Sequence, residues 1–155
     1  MSDRTFYRLV LPVSLPSAAL RAAAEAFTEA EWTDANLIEL RRSQVDGKVN
    51  VDVEERTTGQ SRAYAEVVRE RLAEHDQDVA FYVAEAPKYE WLGLRVDWAP
   101  ELGWHEVDCD AEDDPLIAAS TFEAVLQAAP SPAAAIEVLR LMLGTAWLSR
   151  RRSES

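Results

Sequence analysis

Residues 48–56 alternate in a way that leaves little choice of local structure. Val49, Val51 and Val53 are interleaved with Asn50, Asp52 and Glu54. A period of two sends the valines to one face of a strand and the polar side chains to the other. Such a strand needs neighbours for its backbone and an apolar layer over its valines. Just before it, Val45-Asp46-Gly47-Lys48 holds an Asp-Gly pair, which accepts the positive φ angles of a hairpin turn. Residues 35–42, with Ile38 and Leu40 pointing one way, are therefore read as the strand on the far side of that turn.

The same reasoning extends in both directions. Residues 5–13 contain Phe6, Tyr7, Val10 and Val13 and read as a first strand. Pro12 and Pro16 close it. Leu20, Ala23, Ala24, Phe27 and Ala30 then set a helical stripe up to about residue 31. A second helix over residues 60–75 turns Ala63, Val67, Val68 and Leu72 inward and shows a mixed-charge outer face. Residues 79–86 follow as a strand with Phe81 and Val83 on one side. The order β-α-β-β-α-β over about residues 4–86 resembles the ferredoxin-like arrangement. That superfold hosts many unrelated activities, so the resemblance implies a fold and no function.

Beyond Pro87 the chain adds material. Residues 90–98 and 104–110 read as the two strands of a β-hairpin. Asp114-Pro115 signals a helix start, and that helix is expected to reach about residue 129. Pro130-Ser131-Pro132 ends it and opens a last helix to residue 149, with Ser131 as cap. Ile136, Leu139, Leu143 and Trp147 share an apolar face there, broadened by Leu141, Met142 and Leu148, and Gly144 interrupts it. A helix so apolar must be covered by its own domain or by a second copy, so a homodimer through the C-terminal helix is one expectation. The expected architecture is a single α+β domain over residues 1–149. It comprises a ferredoxin-like βαββαβ core (about 4–86), a β-hairpin and two C-terminal helices. Residues 150–155 are read as a basic, mobile tail.

Charge is unevenly placed. Residues 85–114 hold ten acids against Lys88 and Arg95, or −8 of the chain's −12 at pH 7. Such a field repels polyanions, which argues against direct nucleic-acid binding and against anionic membranes. No run approaches the ~18 apolar residues of a spanning helix. The apolar start is broken by Pro12 and Ser14, unlike a signal peptide. One cysteine forms no internal disulfide, which suits a reducing cytoplasm. Fourteen Arg against two Lys, with abundant Ala, suits a GC-rich bacterial genome.

Several chemistries fail on spacing. His105 and Cys109 share a strand face but lie four residues apart, roughly 13 Å, too far for a nucleophile and its base. Asp108, Asp110 and Glu112 open like a calcium-binding EF-hand loop. The sixth position is then Asp113 where glycine is needed, and the twelfth is Ala119 where a carboxylate is needed. Phosphate-cradling and nucleophile-elbow motifs are missing. No catalytic residue, metal site or cofactor is assigned. What remains is a surface: an acidic, Trp-rich hairpin that engages a basic protein partner through Trp91, Trp98, Trp104, Glu106, Asp108 and Asp110. The chain is then a non-catalytic binding protein, acting as an inhibitor, immunity-type protein or adaptor. The alternative is a small enzyme or ligand-binding domain. Its pocket would lie between the sheet and the hairpin of residues 89–110, lined by Tyr89, Trp91, His105 and Cys109.

Overall fold

A computed structural model describes residues 4–55, 57–89 and 91–153. The described residues form one five-stranded antiparallel sheet and six helices. In chain order these are β1 (Thr5–Pro12), α1 (Ser17–Thr28), α2 (Asp34–Arg42), β2 (Lys48–Glu55), α3 (Ser61–Glu74) and β3 (Phe81–Glu85). There follow β4 (Gly93–Ala99), β5 (Gly103–Cys109), α4 (Ala119–Ala128), α5 (Pro132–Leu143) and α6 (Thr145–Ser153). The strands lie in the order β2-β1-β3-β4-β5.

The expected α+β class holds, but the strand order is not the ferredoxin-like one. Residues 35–42 belong to helix α2 and not to a strand. Thr33 caps it: its hydroxyl accepts the Asn36 N–H at 3.2 Å, while the Asn36 side chain accepts the Thr33 N–H at 2.9 Å. Asp34 opens the helix and Arg41 and Arg42 close it, each with the sign that the helix dipole favours. Leu37 and Leu40, three residues apart, are buried, whereas Ile38 is exposed. The helical period therefore wins over the alternation of Ile38 with Leu40. The Asp-Gly turn does form, with Asp46 at φ 52° and Gly47 at φ 75°, and two backbone bonds close it between Val45 and Lys48. It joins a helix to a strand, not two strands.

Two consecutive helices carry the chain away and back, so β2 runs antiparallel to β1. β1 is antiparallel to β3 as well, which leaves β2 and β3 parallel and joined through α3. β4 and β5 then extend the same sheet as a meander. The hairpin does not fold over the sheet, so the expected space between the two has nowhere to exist.

Strand alternation gives the sheet two faces. One presents Tyr7, Leu9, Leu11, Val49, Val51, Phe81, Val83 and Val96. α1 and α3 cover it with Leu20, Phe27, Val68 and Leu72. Each large side chain buried there contributes roughly 1.5–3 kcal/mol. Tyr64 of α3 meets Tyr7 and Phe27 edge-on at 5.0 and 5.3 Å. The other face presents Val10, Tyr82, Ala84 and Cys109.

The C-terminal segment differs from expectation in two places. α4 begins at Ala119, because Pro115 bridges to Cys109 and the Leu116 N–H donates to the Asp108 carbonyl at 2.8 Å. The single last helix is two helices: Gly144, at φ 74°, ends α5 in the left-handed region, and α6 follows. A Cβ at residue 144 would sit 2.6 Å from the His105 ring, so glycine is required for contact as well as for conformation. The α6 backbone runs to Ser153, into the stretch expected as a tail, and residues 154–155 lie outside the described residues. Among the described residues no helix is long and apolar enough to cross a membrane.

Candidate functional site

β5 is an edge strand, and its side chains alternate between covered and open. Trp104, Glu106 and Asp108 point out on the side that bears α3, and all three are exposed. His105 and Val107 point to the opposite face. Glu106 receives a two-pronged ion pair from Arg62 of α3, at 3.1 and 2.5 Å. The Asp108 carboxylate makes no hydrogen bond or ion pair with another side chain among the described residues. Trp104 is 41% exposed and leans on Trp98 at 4.9 Å. Trp98 is half-buried: its indole donates to Asp78 at 3.0 Å, and the Arg69 guanidinium lies over its ring at 4.4 Å. Trp98 thus supports Trp104 more than it offers a surface of its own.

Trp91 occupies a different place. It ends a tight turn in which Lys88 and Trp91 exchange two backbone bonds, 3.1 and 2.9 Å, with Tyr89 at φ 54°. Trp91 is 77% exposed and Tyr89 63%. With Gly59, Glu85 and Leu92 they line a cleft of about 440 Å³. The turn leads into Gly93, which pairs with Cys109, so Trp91 stands at the Asp108 end of β5. Trp98 and Trp104 stand at the other end, next to the β4–β5 turn. Trp104, Glu106 and Asp108 therefore form a row of roughly 13 Å along one face of β5, with Trp98 beside Trp104 at one end and Trp91 beyond Asp108 at the other.

Asp110 has an architectural task. Its carboxylate accepts the N–H groups of Glu112 and Asp114, each at 2.9 Å, and this folds the acidic loop back on itself. The fold drives Asp113, at φ 67°, onto the second face of the sheet. There it is buried and accepts from the Tyr82 hydroxyl at 2.8 Å, with the Arg8 guanidinium 3.6 Å away. Its carbonyl accepts from Arg95 at 2.8 Å. Arg95 is itself buried, paired twice with Asp97 at 2.8 and 3.0 Å, and stacked 3.7 Å over the Tyr82 ring. Arg8 in turn donates to Asp52 at 2.9 Å. Sequence patterning gave no notice of this network, because Arg95 and Asp97 occupy the positions a half-buried strand would give to solvent.

Tyr89, His105 and Cys109 are not brought together. Cys109 is fully buried on the second face, where loss of solvent pushes its thiol up to about 12 and the nearby Asp113 carboxylate pushes the same way. Such a thiol is inert as a nucleophile near neutral pH. His105 stacks on Trp147 at 4.6 Å, and its Nε2 lies 3.1 Å from the Leu141 carbonyl. Trp147 also donates to the Gly103 carbonyl at 2.9 Å. These contacts fasten the α5–α6 corner to β5. Among the described residues no group of three His, Cys, Asp or Glu side chains is placed to hold a metal ion.

No protein-family model matches the chain, and no curated protein or solved structure is significantly similar to it.

Proposed function

We propose that this chain is a non-catalytic binding protein that engages a basic surface of a protein partner with the acidic side of the β4–β5 meander, as an inhibitor, immunity-type protein or adaptor. The observation that carries the reading is the outward row Trp104, Glu106 and Asp108 on an edge strand, with the open Trp91 at one end. Aromatic anchors beside unneutralised carboxylates combine contact area with charge steering. Glu106 is already paired with Arg62, so Asp108 and the neighbouring acids carry most of the attraction. Trp98 and Asp110 act indirectly, by propping Trp104 and by shaping the loop. A cytoplasmic setting is part of the proposal and rests on the single, reduced cysteine.

Affinity capture from the native cell identifies the partner, and titration calorimetry then measures the contact. Trp91→Ala is expected to weaken binding by about 30-fold, the size of a hot-spot loss. Asp108→Asn is expected to weaken it less and to flatten its salt dependence. Affinity indifferent to both substitutions and to salt refutes the assignment.

A further inference from the structure

Residues 1–114 carry 25 acids and 12 Lys or Arg, whereas residues 115–149 carry only Glu123, Glu137 and Arg140. The near-neutral segment is also poorly covered. α4 buries no side chain, and α5 buries only Ala135. Helices of ten and twelve residues are marginal on their own in water and normally persist by packing an apolar face.

At 100° per residue, α5 has two sides. Ala135, Leu139, Met142 and Leu143 fall on the side that includes its one buried residue. Ala133, Glu137 and Arg140 fall on the opposite stripe, with Ile136 and Leu141 at its two edges, and all five are exposed. Ile136 is 55% and Leu141 66% open. Glu137 and Arg140 form no ion pair with each other or with another described residue. The stripe has a symmetry of its own. Ile136 and Leu141 share a midpoint between Val138 and Leu139, and so do Glu137 and Arg140.

We propose that α5 packs antiparallel against α5 of a second copy, across a two-fold axis at that midpoint. Glu137 of each copy then meets Arg140 of the other, while Ile136 packs against Ile136 and Leu141 against Leu141 along the two edges. A two-fold interface needs a self-complementary patch, and this stripe matches itself in apolar contact and in charge. Electrostatics favours the same occupant. Two chains of −12 repel over most of their surfaces and approach with least penalty where charge is nearly absent. The side expected to self-associate from sequence, with Leu139, Leu143 and Trp147, is turned toward the chain itself: all three are partly covered, and Trp147 holds His105. A single helix pair covers roughly 500 Å² per copy, below the ~800 Å² of a standard interface, so dissociation in the micromolar range is expected.

Sedimentation equilibrium of the full chain over a range of micromolar concentrations tests this. The mass is expected to rise from one chain to two, with tighter association at higher salt, the reverse of the trend proposed for the basic partner. Leu141→Asp, on an exposed position, is expected to leave a folded monomer. Glu137→Arg alone and Arg140→Glu alone are each expected to weaken association at least several-fold, because like charges then meet. An equimolar mixture of those two variants restores opposite pairs and is expected to dimerise. A chain that stays monomeric throughout overturns the proposal. So does a dimer indifferent to Leu141→Asp, or a mixture no tighter than its components.

Discussion

Residues 4–114 pack both faces of much of the sheet and carry nearly all of the charge, whereas α4 and α5 carry almost none and bury a single alanine. The sheet is held by strand ladders, by the layer of α1 and α3, and by a buried arginine–carboxylate network. The helical end is held by its junction with β5, where His105, Trp147 and Gly144 interlock. The contrast separates two properties that are often confused. Cohesion is concentrated in the charged region, because its charges stand on a finished core. The apolar region is the less finished one, because its apolar side chains have few partners.

The sharpest way to break that contrast is to strike the buried pair in the charged region. Arg95→Ala leaves Asp97 buried without its partner and removes the donor to the Asp113 carbonyl. An unpaired buried charge costs about 3–5 kcal/mol, so urea denaturation should show most of the stability gone. Replacing Arg95 and Asp97 together by Met and Leu should cost far less, since an apolar pair carries no unmet charge. If the single and double variants are equally destabilised, the network is not an electrostatic anchor.

A smaller effect is expected at the helical end. Gly144→Ala places a methyl group against the His105 ring and demands a left-handed conformation of alanine. A loss of about 1–3 kcal/mol is expected, confined to the junction. Hydrogen exchange should accelerate in α5 and α6 while amides of β1 and β3 keep their protection. Uniform acceleration would show that the two regions unfold as one.

Sequence patterning reached the two regions unequally. β2 was legible because its alternation is strict, and α1, α3 and the β4–β5 meander followed from period and turn residues. α2 was misread because a short apolar run fits either period and the Asp46-Gly47 turn suggested a hairpin. The contrary signals were the reciprocal cap between Thr33 and Asn36 and the paired arginines at the helix end. The site was legible only as composition. Patterning found the carboxylates but could not sort them. Asp108 faces out, Asp110 shapes its own loop, and Asp113 is buried under Arg8. That sorting depends on β1 and the acidic loop meeting across the sheet, far apart in the chain.

Cys109 lies at the seam of the two regions, closing β5 and bridging to Pro115, the first residue of the neutral segment. Its folded-state thiol titrates near 12, against an ordinary value of 9.0, because burial and the Asp113 carboxylate both oppose the thiolate. Below about pH 9 the thiol is protonated folded or unfolded, and its preference for the fold is fully present. As pH rises, the unfolded chain loses this proton first. Stability therefore falls, by up to about 1.4 kcal/mol per pH unit, until the folded thiol also titrates. The difference in unfolding free energy between the native chain and Cys109→Ala, measured from pH 8 to 10, isolates this contribution from other titrating groups. A thiol reagent at pH 8 should find Cys109 unreactive in the native chain and reactive in urea. If Asp113→Ala exposes the thiol without unfolding β1–β3, the acidic loop is a separable cover over the seam. If the thiol stays protected until the whole sheet unfolds, the loop belongs to the core of the charged region.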